Sequence, residues 1–289
     1  MSFSKISQII ALSEKEHLPL WQIILEDDLK ENNYTKEFSL SKMEKMLDAM
    51  IQADKEYSPE LRSHSGLSGG DGAKLETFRK QENRLIGTFL TLVMEKAVKM
   101  GESNACMKRI VAAPTAGSCG VIPAVLLSYY EYKKPPKEKI IQALYIAAGI
   151  GQIIANTASI SGAEGGCQAE IGSASSMAAA ALTFLENGTN EQIVTASALA
   201  MKNMLGLTCD PVAGLVEVPC IKRNVSGAVN AITSCQMAIA GIKSAIPADE
   251  VFESMERIGN LIPPCLKETS QDGLATTPTA QIITAKILN

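Results

Sequence analysis

Between residues 110 and 242 the chain carries only 15 of its 58 charged side chains, against 33 in residues 1–109 and 10 in residues 243–289. A stretch of this length with so little charge has to be buried, in a membrane or in the protein's own interior. Three uncharged runs, 110–130, 140–163 and 225–242, are long enough to raise the membrane question. Their composition answers it. They are rich in Ala, Gly, Ser, Thr and Asn, and the first contains Pro114 and Pro123. A spanning helix would be predominantly Leu, Ile, Val and Phe over about 20 residues. The expectation is therefore a set of helices buried on most sides and packed closely through small residues. Alternating strand patterns are scarce. The reading is a mainly α fold, a compact helical domain over residues 1–289, with 1–60 as an outer helical layer and 61–289 as the core.

Local signals fill in that outline. Ser41-Lys42-Met43-Glu44 fits a capping box, and Leu40, Met43, Met46, Leu47, Met50 and Ile51 follow at helical spacing. Residues 75–100 read as one helix, with Phe78, Leu85, Ile86, Phe89, Leu90 and Val93 inward. Before it, RSHSGLSGGDGAK (62–74) holds four glycines, which mark a backbone that turns tightly or approaches something closely. Pro135-Pro136 opens a helix running to about residue 156, and further helices are expected near 173–186, 190–205, 226–244 and 249–258.

Net charge of −4 argues against a nucleic-acid footprint, which needs a basic patch, and 4% aromatics argues against a base-stacking platform. The N-terminus has no long apolar core and regains charge at Glu14, Lys15 and Glu16, so no signal peptide is expected. Seven cysteines, an odd number, suit thiols kept reduced in the cytoplasm better than a disulfide framework.

Three of those cysteines differ from the rest in setting. Cys167, Cys209 and Cys220 lie in SGAEGGCQAEIG (161–172) and LTCDPVAGLVEVPC (207–220), dense in Gly, Pro and small polar residues. A cysteine at the end of an element, where backbone amides can point at its sulfur, has a lowered thiolate pKa and suits a metal or cluster. A buried structural thiol is the bland alternative, and without a C-x-x-C pair a zinc ribbon is not expected. Cys235, mid-helix in AITSCQMAIAGI, reads as a core residue, Cys119 as packing, and Cys106 and Cys265 as structural or surface thiols. The loop APTAGSCGVIP (113–123) places Thr115, Gly117 and Ser118 before an apolar helical run. That arrangement can cradle a carboxylate or phosphate on hydroxyls and amides, or can be an ordinary helix cap. It lacks the Lys-Ser/Thr of a P-loop. Ser65 and Ser68 in the glycine-rich loop, and Asn156 in a polar strip before Cys167, are further ligand donors. His64 beside that loop is a candidate acid or base, and His17 reads as solvated. No G-x-S-x-G elbow supports a hydrolase.

On these residues the sequence resembles the iron–sulfur-dependent L-serine dehydratases, or L-serine ammonia-lyases. The stretches that carry the likeness are SGLSGGDGAK, APTAGSCGVIPAVL, NTASISGAEGGCQAEIGSASSMAAAAL, GLTCDPVAGLVEVPCIKRN and KETSQDGLA, spanning residues 65 to about 275. Some members are single chains beginning with a separate domain; others split into an alpha chain with the cysteines and a beta chain with that domain. This sequence resembles the alpha chain. The resemblance implies an oxygen-labile four-iron four-sulfur cluster on Cys167, Cys209 and Cys220, with one iron left free of protein thiolate to act as a Lewis acid. It implies conversion of L-serine to pyruvate and ammonia, a step of amino-acid degradation that feeds gluconeogenesis. It also implies a beta chain as partner and a cytoplasmic setting. Some single-chain members cap the open iron with a final cysteine; this chain ends TTPTAQIITAKILN, so self-capping is not expected. The base is left open between Lys74, His64 and a partner residue.

Other readings stay open on the residues alone. L-cysteine desulfidase or L-threonine dehydratase chemistry would use a similar cluster, since no motif reports pocket volume near the β-carbon. A pyridoxal-phosphate dehydratase would need a Schiff-base lysine such as Lys74. A metal-stabilised or metal-free helical scaffold would need no chemistry.

Overall fold

The computed structural model describes residues 3–82 and 85–288, and among them there is no β-strand. The chain is built of helices, as the charge pattern requires. In the outer layer α1 (Ile6–Glu16), α2 (Leu20–Asn32) and α3 (Lys36–Lys55) pack through Ile6, Ile9, Ile23, Leu25, Leu47 and Met50. α3 begins before the expected capping box. Thr35 is the cap, its hydroxyl accepting from the Phe38 amide at 3.2 Å, so Ser41 falls a turn and a half inside the helix.

The single helix expected over 75–100 is instead two. α4 (Asp71–Arg79) ends and α5 (Thr88–Ala105) restarts at Gly87; residues 83 and 84 of that reading lie outside the described residues. The apolar spacing misled because its members are not all buried: Leu85 is fully exposed and Phe78 is 39% exposed. What joins the two helices is charge. Arg79 Nε reaches Glu95 at 2.6 Å, and Lys99 Nζ bridges Glu95 and Glu76 at 2.7 and 2.9 Å.

The three uncharged runs become α6 (Val121–Lys133), α7 (Lys137–Thr157) and α11 (Cys220–Ile239), with α8 (Gly162–Gly165), α9 (Ser173–Leu185), α10 (Asn190–Lys202), α12 (Ala248–Leu261) and α13 (Pro278–Leu288) completing the set. α7 is long and apolar enough to cross a membrane by length and composition alone, yet 67% of that stretch is buried against the rest of the chain, on α2, α3 and α9. α9 is the axis of the fold. Its sequence SASSMAAAALTFL is buried nearly all round, and it packs on α6, α7, α10 and α11 at once. Alanine and serine side chains give helices room to approach, and the hydroxyls find partners across the interfaces. Ser175 donates to the Gly227 carbonyl at 2.8 Å, Asn230 donates to Ser175 and to the Ala200 carbonyl, and the Ser176 and Ser197 hydroxyls meet at 2.6 Å. At Gly227 a Cβ would stand 2.8 Å from Ile171, so a glycine there lets α11 approach the turn that precedes α9.

Candidate metal centre and substrate cradle

The three distinctive cysteines come from three separate places in this helical frame. Cys167 follows Gly166, whose φ of +77° suits glycine, and stands at the head of one wide π-type turn, Gln168–Gly172, that feeds α9. Cys209 is held in extended backbone: its amide donates to Leu266 at 2.8 Å and its carbonyl accepts from Glu268 at 2.7 Å. Cys220 is the first residue of α11, directly after a cis peptide at Val218-Pro219. All three are buried, at 2%, 2% and 7% exposure.

The fold brings them together. The sulfurs of Cys167 and Cys209 and a carboxylate oxygen of Glu170 all lie within 4.8 Å of one another. A thiol hydrogen bond joins Cys209 to Cys167, pulling the Cys167 pKa down and driving that of Cys209 up; Arg223 beside Cys167 favours its thiolate. Cys220 belongs to the same field. Burial first, then the negative charge of Cys167 and Glu170, pushes its thiol up to about 12. Two buried sulfurs and one carboxylate within 4.8 Å, with the buried Cys220 thiol near enough to feel their charge, form a soft donor set that fits iron–sulfur or zinc and is poor for calcium or magnesium. Mutual repulsion among thiolates packed this closely is relieved when a cation binds them. The residues present therefore fit a cluster of the kind the sequence implied.

Glu170, which sequence reasoning passed over, connects the thiols to the 113–123 loop. The Thr115 hydroxyl donates to Glu170 Oε1 at 2.7 Å, and a Cβ on Gly117 would stand 2.9 Å from that oxygen. On the other side a Cβ on Gly162 would stand 2.8 Å from Oε2 and 3.1 Å from Cys209 Sγ. Burial raises the Glu170 carboxyl above its ordinary value, against the pull of the Thr115 hydroxyl. Ser118, fully buried, has its hydroxyl 3.1 Å from that of Thr115. Asn224, one turn into α11, accepts from the Gly120 amide and donates to the carbonyls of Gly117 and Cys220. One amide side chain thus pins the cradle loop to the helix that carries Cys220.

The glycine-rich loop is anchored by two carboxylates, Glu217 just before α11 and Glu102 on α5. Ser63 and Ser65 donate to Glu217 at 2.7 and 2.8 Å, and the amides of Gly69, Asp71 and Gly72 donate to Glu102, itself 1% exposed. Ser68 is buried with its hydroxyl unpartnered. His64, between Ser63 and Ser65, is exposed. Lys74 is 80% exposed and paired with Asp71 at 2.7 Å, which raises its pKa, the reverse of what a Schiff-base lysine needs. The exposed Asn156 hydrogen-bonds to Gln152 and to the Phe3 carbonyl, not to any residue around the thiols. Glu170, Arg223, Asp210 and Glu217 had one signal in the sequence: they are charges inside the stretch that otherwise avoids charge.

Comparison with known proteins decides the family. A family model described as serine dehydratase alpha chain matches residues 15–275. The chain belongs to that family. It is 44% identical over 285 residues to the probable L-serine dehydratase, alpha chain, of Bacillus subtilis, covering 99% of this chain and 95% of that protein. To the L-serine dehydratase, alpha chain, of Peptoniphilus asaccharolyticus it is 39% identical, covering 96% and 95%. To an L-serine dehydratase of Helicobacter pylori it is 37% identical over 95% of this chain but only 62% of the longer protein. The matched span of the serine dehydratase alpha chain family holds every residue of the thiol cluster and both glycine-bearing loops, leaving only the ends of the chain outside.

Proposed function

We propose that this chain is the alpha chain of a cytoplasmic L-serine dehydratase, a carbon–oxygen lyase converting L-serine to pyruvate and ammonia. The observation that carries the reading is the meeting of Cys167, Cys209 and Glu170 within 4.8 Å, with Cys220 in the same field. Cys167, Cys209 and Cys220 would hold a four-iron four-sulfur cluster. When bound, the cluster supplies a Lewis acid, which suits a reaction whose leaving group is hydroxide.

The chain's own groups bind and orient. The amides of the buried Gly117 and Ser118 donate to no acceptor among the described residues and stand at the start of α6, a cradle for the substrate carboxylate. Ser118 staples Thr115, and Thr115 spends its proton on Glu170, so its role is to set that carboxylate. Ser65 and Ser68 stand on a loop fixed beside Cys220, with the Ser68 hydroxyl free to donate to substrate. His64, next to Ser65 in sequence, is one of this chain's two candidate bases; the other, Lys74, is tied to Asp71. A separate beta chain completes the enzyme, in keeping with relatives named as alpha chains and with a longer relative of which this chain matches 62%.

The test is L-serine-dependent pyruvate and ammonia formation by anaerobically purified enzyme, before and after iron chelation. Equimolar products, lost on chelation and restored by iron and sulfide, are expected. Turnover that survives complete iron removal, or a bound aldimine absorbance, would contradict the reading.

A further inference from the structure

We propose that Glu170 receives the α-ammonium group of the substrate and so makes the site select amino acids over other hydroxy acids. This rests on the dehydratase reading above. Position comes first. Glu170 lies three residues after Cys167 in the π-type turn, and wide turns of this kind set side chains that a regular helix would aim elsewhere. It is enclosed by the absence of side chains at Gly117 and Gly162, either of whose Cβ atoms would come within 2.9 Å of its oxygens. The 113–123 loop and the first residue of α8 therefore leave space around this one carboxylate.

Its hydrogen bonding is incomplete. An ionised carboxylate accepts about four hydrogen bonds. Among the described residues only Thr115 donates to Glu170, at Oε1; Oε2 accepts from none of them. Among the described residues no lysine, arginine or histidine pairs with it. Arg223, in the first turn of α11, is turned to Cys167, to the Thr208 carbonyl at 2.7 Å and to Asp210 at 2.9 Å, and its neighbour Lys222 pairs with Asp71 at 2.8 Å. A part-buried carboxylate beside thiols, with one protein donor, no counter-charge and one oxygen still open to solvent, is placed to take a cationic partner that enters from outside. The missing partner is a small cation bearing several N–H donors. An α-ammonium has that charge and three N–H groups. The other half of an amino acid is matched by the neighbouring Gly117 and Ser118 amides, which no acceptor among the described residues uses. Carboxylate on those amides and ammonium on Glu170 together read a zwitterion.

The test uses calorimetric titration of anaerobically purified enzyme with two unreactive probes, L-alanine and propanoate, which differ by the ammonium group. Glu170→Gln should weaken L-alanine binding by about ten- to hundred-fold, the loss of one charge-assisted pair. Propanoate binding and iron content should stay as in the parent, and Glu170→Asp should recover part of the discrimination. Equal weakening of both probes, unchanged L-alanine binding, or loss of iron in Glu170→Gln would overturn the proposal, the last by making Glu170 a ligand of the metal. A parent enzyme that turns over L-serine while the variant discriminates as the parent does refutes only this inference. A parent that neither binds L-alanine nor turns over L-serine refutes the reading beneath it.

Discussion

At the scale of single residues, the site is a contest over protons and room. Thr115 has one hydrogen and gives it to Glu170; Ser118 steadies Thr115 from a fully buried position. Removing either hydroxyl leaves a neighbour short of a partner, at roughly 1.5–3 kcal/mol where a charge is involved. Thr115→Ala and Ser118→Ala should each lower kcat/KM for L-serine by about ten- to hundred-fold with iron content unchanged, and Thr115→Ser should recover most of it. Unchanged kcat/KM in both alanine variants would return the loop to a plain helix cap. The cysteines were legible because glycine and proline around them are unusual and because the motifs resemble a known family. Glu170 was not legible. A glutamate three residues after a cysteine looks like any helical position, and only the folded chain shows Gly162, at the start of α8, and Gly117, in the 113–123 loop, closing on it.

At the scale of elements, small side chains decide how near the helices come. α9 is the clearest case, with Ala178, Ala179, Ala180 and Ala181 all fully buried and four helices packed around it. Ala179→Leu would force extra methylenes into a filled interior, which costs about 1–3 kcal/mol. Chemical denaturation should show that loss, while the same substitution at the exposed Ala11 in α1 should change stability little. Equal stability of the two variants would mean that α9 is looser than its packing indicates. The buried helices were readable from composition alone, since a run without charge and rich in alanine leaves few alternatives. The break between α4 and α5 was not readable. Phe78, Leu85, Ile86 and Phe89 keep helical spacing, and neither the exposure of Leu85 nor the ion pairs from Arg79 and Lys99 to Glu95 can be seen in a linear pattern.

For the whole molecule, the thiols and the proposed carboxylate cradle belong to one chain, whereas acid–base groups are few. Its two histidines are exposed, and Lys74 is committed to Asp71. The isolated chain should therefore bind iron yet turn over L-serine weakly, with a beta chain raising kcat by completing the pocket and excluding water. Equal turnover by the isolated chain and the complex would contradict this division of labour. The glycine-rich loop has few apolar residues, and Glu102 and Glu217 anchor it from far along the chain; such long-range partners are invisible in sequence. The central claim is that Cys167, Cys209 and Cys220 together hold the metal. Iron and sulfide, measured on anaerobically reconstituted parent and single-cysteine variants, test it most directly. The parent and Cys235→Ala should each hold about four irons per chain, since Cys235 is fully buried in mid-α11 with its thiol pushed up to about 11 by burial. Cys167→Ala, Cys209→Ala and Cys220→Ala should hold almost none; full iron in any of these three, or its loss in Cys235→Ala, would contradict the assignment.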